Sequence, residues 1–156
     1  MSLLVFRREL LRVLGDSESL LDVGCGSCSL EARLRGGWRG FYVGIDLRRP
    51  PRGVQGDAQM LPFRNSAFDT VVFIHSLEHL PDYYKGLEEA WRVLRERGVL
   101  FIQAPTPSNY YATSLPDHLH VLHHETLSRL VSRIGFRVVE ARGEGSYLLV
   151  IAVKQA

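Results

Sequence analysis

Residues 20–30 read LLDVGCGSCSL, and the fold turns on which of two machines this stretch encodes. An apolar strand running into Cys-Gly-Ser-Cys and then a helix (SLEARL) is the layout of a thioredoxin-like redox site. The same letters hold Gly24-Cys25-Gly26, a glycine turn between strand and helix of the kind that cradles a nucleotide-like cofactor. The next strand decides between them. Residues 40–47 (GFYVGIDL) end at Asp46, 20 residues beyond Gly26, where a ribose-bearing cofactor needs an acid and a redox site does not. Gly24 also stands where a redox site usually carries a bulky aromatic. A cysteine-ligated zinc would lack two ligands, because there is no second cysteine pair. The dinucleotide fingerprint of a dehydrogenase is imperfect, with Ser29 in place of the third glycine. Further on, residues 54–63 (VQGDAQMLPF) supply a second carboxylate, Asp57, just after a short third strand. One acid for a ribose and one for an adenine amino group, followed by an apolar wall, describe an adenosyl pocket.

Outward from this centre, apolar runs alternate with helical patterns. Residues 2–14 place apolar side chains at helical spacing and close at Gly15-Asp16. Strands are expected at 20–23, 40–47, 68–74 and 98–103, with helices at 29–34 and 83–94 between them. Continuous apolar strands alternating with helices imply a parallel sheet covered on both faces. A further amphipathic helix over 126–134 precedes two strands, 136–141 and 146–153, which fold back across Gly143 and Gly145, making the last strand antiparallel to its neighbour. The expected class is therefore a doubly wound, mostly parallel α/β sheet with a terminal antiparallel strand, in one domain over residues 1–156. The longest irregular connection is 104–123, a length usually reserved for functional or mobile loops.

Composition narrows the function classes. Nineteen basic and seventeen acidic residues leave a formal charge of +2, too little bias to indicate a nucleic-acid partner. Two cysteines supply no disulfide framework, no run approaches the ~18 apolar residues of a membrane span, and no leader pattern precedes the first strand. A cytoplasmic protein without membrane insertion is expected.

In order and spacing, LLDVGCG, VGID, GDAQMLPF, FDTVVFIHSLEHLPD, EEAWRVLRERGVLFIQAP and HHETLSRLVSRIGFRVVE resemble the class I S-adenosylmethionine-dependent methyltransferases, specifically the small type-11-like branch that includes ubiquinone and menaquinone biosynthesis enzymes. The resemblance spans about residues 16–150. It implies a Rossmann-like methyltransferase sheet and S-adenosylmethionine as cofactor, with S-adenosylhomocysteine as product. Gly24, Cys25 and Gly26 would then form the cofactor turn, and Asp22 would meet the methionine amino group. Asp46 would hold the ribose hydroxyls beside Leu47, Asp57 and the Ala58 N–H would take the adenine, and His75 would line the methionine end. Cys28 replaces the family's usual third glycine.

The acceptor side is less determined. The loop after the fourth strand, HSLEHLP, lacks the Asn/Asp-Pro-Pro-aromatic motif of exocyclic-amine methylation, which disfavours nucleobase amines. His79, His118 and His120 are candidates for acid/base work or acceptor positioning, and Ser76, Tyr110 and Tyr111 for substrate contact. The bunched His118, His120, His123 and His124 form no recognised ligand spacing, with Asp117 the one nearby carboxylate, so no metal is expected. A small-molecule acceptor is the leading expectation. An RNA or protein acceptor, or a non-catalytic cofactor-binding partner, is the alternative, and a homodimer or partner chain could complete the acceptor site, since no substrate-binding insertion exists.

Overall fold

The structure is a computed structural model, and it describes residues 4–156. The apolar runs become β1 (Ser19–Val23), β2 (Phe41–Asp46), β3 (Val54–Gln55), β4 (Phe68–Ile74), β5 (Leu94–Pro105), β6 (Phe136–Glu144) and β7 (Tyr147–Lys154). They form one sheet in the order β3-β2-β1-β4-β5-β7-β6. The first five strands run parallel, and β7 is antiparallel to both β5 and β6. The helices are α1 (Arg7–Val13), α2 (Leu30–Leu34), α3 (Tyr83–Val93), α4 (Tyr110–Thr113) and α5 (His124–Ile134).

Period-two alternation gives the sheet two dry faces. Leu21, Val71, Phe73, Leu100, Ile102 and Val150 point to one core, shared with α3 and α5 residues such as Leu87 and Leu127. Leu20, Val72, Ile74, Phe101, Leu149 and Ile151 point to the other, shared with Leu10 of α1 and Leu34 of α2. Each such side chain, fully removed from water, contributes about 1.5–3 kcal/mol. The resulting rigidity fixes the strand ends. Because β1 has β2 on one side and β4 on the other, the connections diverge there and leave a crevice at the carboxyl ends of the strands.

Three elements depart most from the sequence reading. Helix α1 starts at Arg7 rather than near residue 2, since Val5 N–H and Phe6 N–H donate instead to the buried Gln103 side-chain oxygen, at 3.0 and 3.2 Å. Leu4 and Phe6 do pack in the core, while Leu3 lies outside the described residues. Strand β5 starts at Leu94, earlier than residue 98, and bulges: Phe68 pairs with Leu94 and Thr70 with Val99, with Arg97 at φ 64° in the excess loop. The Arg95–Asp69 ion pair at 2.7 Å holds the bulge. The connection read as irregular over 104–123 carries the one-turn helix α4, capped by the Asn109 side chain accepting from the Ala112 N–H.

Candidate active site

The turn after β1 is built by backbone geometry. Gly24 and Gly26 have φ of 76° and 55°, a region that costs L side chains about 1–3 kcal/mol. A Cβ on Gly24 would lie 2.3 Å from the Ser76 Cβ, whereas one on Gly26 would meet nothing within 4 Å. The first glycine thus permits close packing and the second faces open space. Gly24 N–H and Cys25 N–H both donate to the Ile45 carbonyl, at 2.8 and 3.1 Å, tying the turn to β2. Underneath, the buried Ser76 hydroxyl donates to the Val23 carbonyl at 2.7 Å.

The acid at the end of β2 is already engaged with that turn. Asp46 accepts from Gly26 N–H at 2.9 Å and from Arg48 N–H at 3.2 Å. Asp22, on β1, is buried and accepts from the Tyr42 hydroxyl at 2.5 Å. Burial raises its carboxyl to about 7 despite that hydrogen bond, with the Asp46 charge adding to the rise. Cys25 and Cys28 are joined by a disulfide. Both sulfurs lie over Gly44, where any Cβ would be 2.3 Å from one and 2.8 Å from the other. The two cysteines of the Cys-Gly-Ser-Cys stretch are therefore bonded to each other within the glycine turn. The missing third glycine has a backbone counterpart too, since Cys28 itself sits at φ 57°.

A cleft of about 870 Å³ opens above these strand ends, lined by Gly24, Cys25, Gly26, Asp46, Leu47, Ala58, His75, Ser76, His79 and Asp117 among others. Its volume suits a cofactor-sized ligand with room beside it. Asp57 is not in the lining. Its carboxylate accepts from the Gln59 N–H at 2.8 Å, an Asx turn that presents Ala58 instead. Glu89 and Arg92 of α3 hold the rest of that loop by bonding Leu61 N–H, and the Leu61 and Phe63 carbonyls. Phe63 packs against the core rather than on the cleft.

His75 has a defined protonation state. The Gln103 side-chain oxygen accepts two backbone N–H groups, so its Nε2 is the donor to His75 Nε2 at 3.0 Å. The ring is therefore neutral with its hydrogen on Nδ1. Burial, aided by His118 and His79, lowers His75 to about 4, and the ring stacks on Tyr147 at 5.3 Å.

Of the three histidines expected at the acceptor, only His79 lines the cleft. Its Nδ1 lies 2.7 Å from the Asp117 carbonyl, and its Nε2 is 3.6 Å from Glu78. His118 packs edge-on against His79 at 4.5 Å. His120 is spent on structure, its Nε2 bonding the Leu80 carbonyl at 2.8 Å and its ring resting on Tyr83. Tyr110 and Tyr111 are 81% and 80% exposed and stand outside the cleft lining. The sequence reading did not find Tyr42, Gly44 or Gln103. Tyr42 carried a signal: it lies two residues before Gly44, which pairs with Asp22, so alternation puts its side chain on the same face.

With this geometry in view, the sequence pattern of the methyltransferase domain family (Methyltransf_11) matches residues 21–102. The chain belongs to this methyltransferase domain family. Demethylmenaquinone methyltransferase of Mycobacterium sp. (strain JLS) is 33% identical over 126 residues, covering 73% of this chain and 55% of that protein. The methyltransferase domain thus spans about half the length of the curated relatives it matches. Among solved structures, the 1,6-didemethyltoxoflavin-N1-methyltransferase of Burkholderia thailandensis, with bound 1,6-didemethyltoxoflavin and S-adenosylhomocysteine, aligns with TM-score 0.72 at 20% identity, over 96% of this chain and 78% of that one. A chain of the complex between the Haloferax volcanii Trm112 methyltransferase activator and a putative methyltransferase aligns with TM-score 0.77 at 16% identity, over 93% and 88%. Both show that the methyltransferase domain has the Rossmann-like methyltransferase fold. No helix among its described residues is long and apolar enough to cross a membrane.

Proposed function

We propose that this domain transfers a methyl group from S-adenosylmethionine to a small-molecule acceptor, releasing S-adenosylhomocysteine, in the cytoplasm. The observation that carries the reading is the open glycine turn at Gly24–Gly26 with the Asp46 carboxylate on its amide. The Cβ-free space at Gly26 and the acid beside it fit a ribose and a methionyl chain. When bound, the cofactor supplies an electrophilic methyl on a sulfonium. Asp22 is the partner of its ammonium group, a cation that would return this buried carboxyl to its ionised form. Asp46 accepts the ribose hydroxyls, with Leu47 against the adenine. The Ala58 N–H and, after breaking its Asx turn, Asp57 meet the base. Cys25 and His75 border the methionyl chain, and the apolar walls keep water from the displacement. Ser76 acts from below, by holding Val23. His79 marks the acceptor end, where it orients the acceptor or takes its proton.

The demethylmenaquinone methyltransferase relative supports a small acceptor. The Trm112-complex neighbour supports a second reading, in which a partner chain or a second copy completes the wall beside α4. Calorimetric titration with S-adenosylhomocysteine, with NADH and Asp46→Ala as controls, tests the cofactor. Saturable binding of the former alone, weakened in the variant, is expected, and NADH binding would replace the reading. Transfer of radiolabelled methyl to small-molecule extracts then tests the acceptor class.

A further inference from the structure

The four groups at the acceptor end form a set that neither strand ends nor packing explain. His79, Asp117 and His118 bring one ligand atom each to within 4.8 Å of one another. Glu78 is only 2% exposed, and both of its carboxylate oxygens lack a hydrogen-bond partner, as does the buried His118 Nδ1. Its Oε1 faces His79 Nε2 at 3.6 Å, while the other edge of that ring faces the Asp117 carboxylate at 3.6 Å. Buried polar atoms without a hydrogen bond cost about 1–3 kcal/mol each, so the Glu78 oxygens and the His118 Nδ1, left without hydrogen bonds beside His79 and Asp117, point to a cation bound among them. Backbone geometry fixes the pair of segments. Leu119 N–H and His120 N–H both donate to the Glu78 carbonyl, at 3.0 and 3.2 Å, and the His120 ring is tied to Leu80. The histidine spacing along the chain offers no ligand pattern because half the set comes from the loop after β4.

We propose that His79, Asp117 and His118, backed by Glu78, bind a divalent first-row transition ion at the acceptor end of the cleft. Two imidazoles with carboxylates suit zinc, manganese or cobalt better than magnesium or calcium, which take all-oxygen shells. Glu78, which stands outside that set of three, serves as the outer carboxylate beside His79. His79 and Asp117 line the cleft, so a coordination position faces it. An acceptor carrying an oxygen there would be oriented, and its hydroxyl acidified, by the ion. This role in the acceptor rests on the methyl-transfer reading, but the ion site itself does not.

The test titrates the EDTA-stripped full chain, its Cys25–Cys28 disulfide intact, with cobalt(II), read by visible ligand-field absorption, and with zinc(II) by calorimetry. One saturable site per chain is expected, at least tenfold weaker in Asp117→Asn and in His118→Gln. Asp117 is 73% exposed on its side chain, so its variant retains the fold. His123→Gln with His124→Gln should leave binding unchanged. Absence of saturable binding overturns the site, as does loss only in the His123/His124 variant, or an intense thiolate-to-cobalt band that disappears with Cys25→Ser and Cys28→Ser. Titration of the same stripped protein with S-adenosylhomocysteine separates the two readings, because cofactor binding is expected without the ion.

Discussion

The two ends of the cleft are built by different means. At the cofactor end, the buried or strand-end polar side chains named above are engaged within the protein: Asp46 with Gly26, Asp22 with Tyr42, Ser76 with Val23. The scaffold is the ends of adjacent parallel strands, which two dry cores hold in place. At the acceptor end, Glu78 and His118 have atoms without hydrogen bonds, and the support is the loop after β4 tied to the long connection after β5. A region whose polar groups are satisfied within the protein is preorganised for one ligand. A region that leaves them unsatisfied depends on what binds there.

Substitutions should separate the two ends, and Gly24→Val should do most damage. Its Cβ would overlap Ser76 at a φ that disfavours it, so S-adenosylhomocysteine binding should vanish by calorimetry and denaturant unfolding should show a loss of about 2–4 kcal/mol. Asp46→Ala should weaken the same ligand about 10- to 100-fold, the scale of a lost charge-assisted hydrogen bond, while changing thermal stability little. Survival of full affinity would dissolve the contrast between the ends.

Protons sharpen it further. Asp22 sits at about 7 and Glu78 at about 8, both raised chiefly by burial. Between the ordinary carboxyl range and those values the native state binds more protons than the unfolded one, so stability should fall as pH rises from about 5 to 8. His75, lowered to about 4, acts oppositely, costing stability as pH falls below its ordinary value near 6.5. Calorimetric melting of the ligand-free protein should therefore show lower stability at pH 8 than at pH 6.5, and Glu78→Gln should flatten that slope. Near pH 7, S-adenosylhomocysteine binding should release a fraction of a proton from Asp22, detectable as buffer-dependent binding enthalpy. The smallest effect belongs to Tyr110→Ala and Tyr111→Ala, which should shift stability by under about 0.5 kcal/mol and leave cofactor affinity unchanged.

The same contrast explains what could be read from the chain alone. The strands, the glycine turn and the acid at Asp46 are local patterns, and the fold keeps their spacing. Asp57 was legible as a carboxylate just after the short third strand, but not as one already occupied by the Gln59 amide. His79 reaches the cleft and His120 does not, though both sit in histidine-rich loops. That difference is made by a bond from His120 to Leu80, forty positions earlier, which no periodicity encodes. The start of α1 was misplaced for a similar reason, because Gln103 competes for its first donors across 98 positions of sequence.

Gln103 also couples two parts of the molecule. Its one planar amide grips the entrance of α1 with the oxygen and His75 with the nitrogen. The amide cannot rotate to follow one partner without releasing the other. The two grips therefore share one orientation of the amide, so the ring position of His75 and the entry of α1 are set together, and a change at either would cost a hydrogen bond at the other.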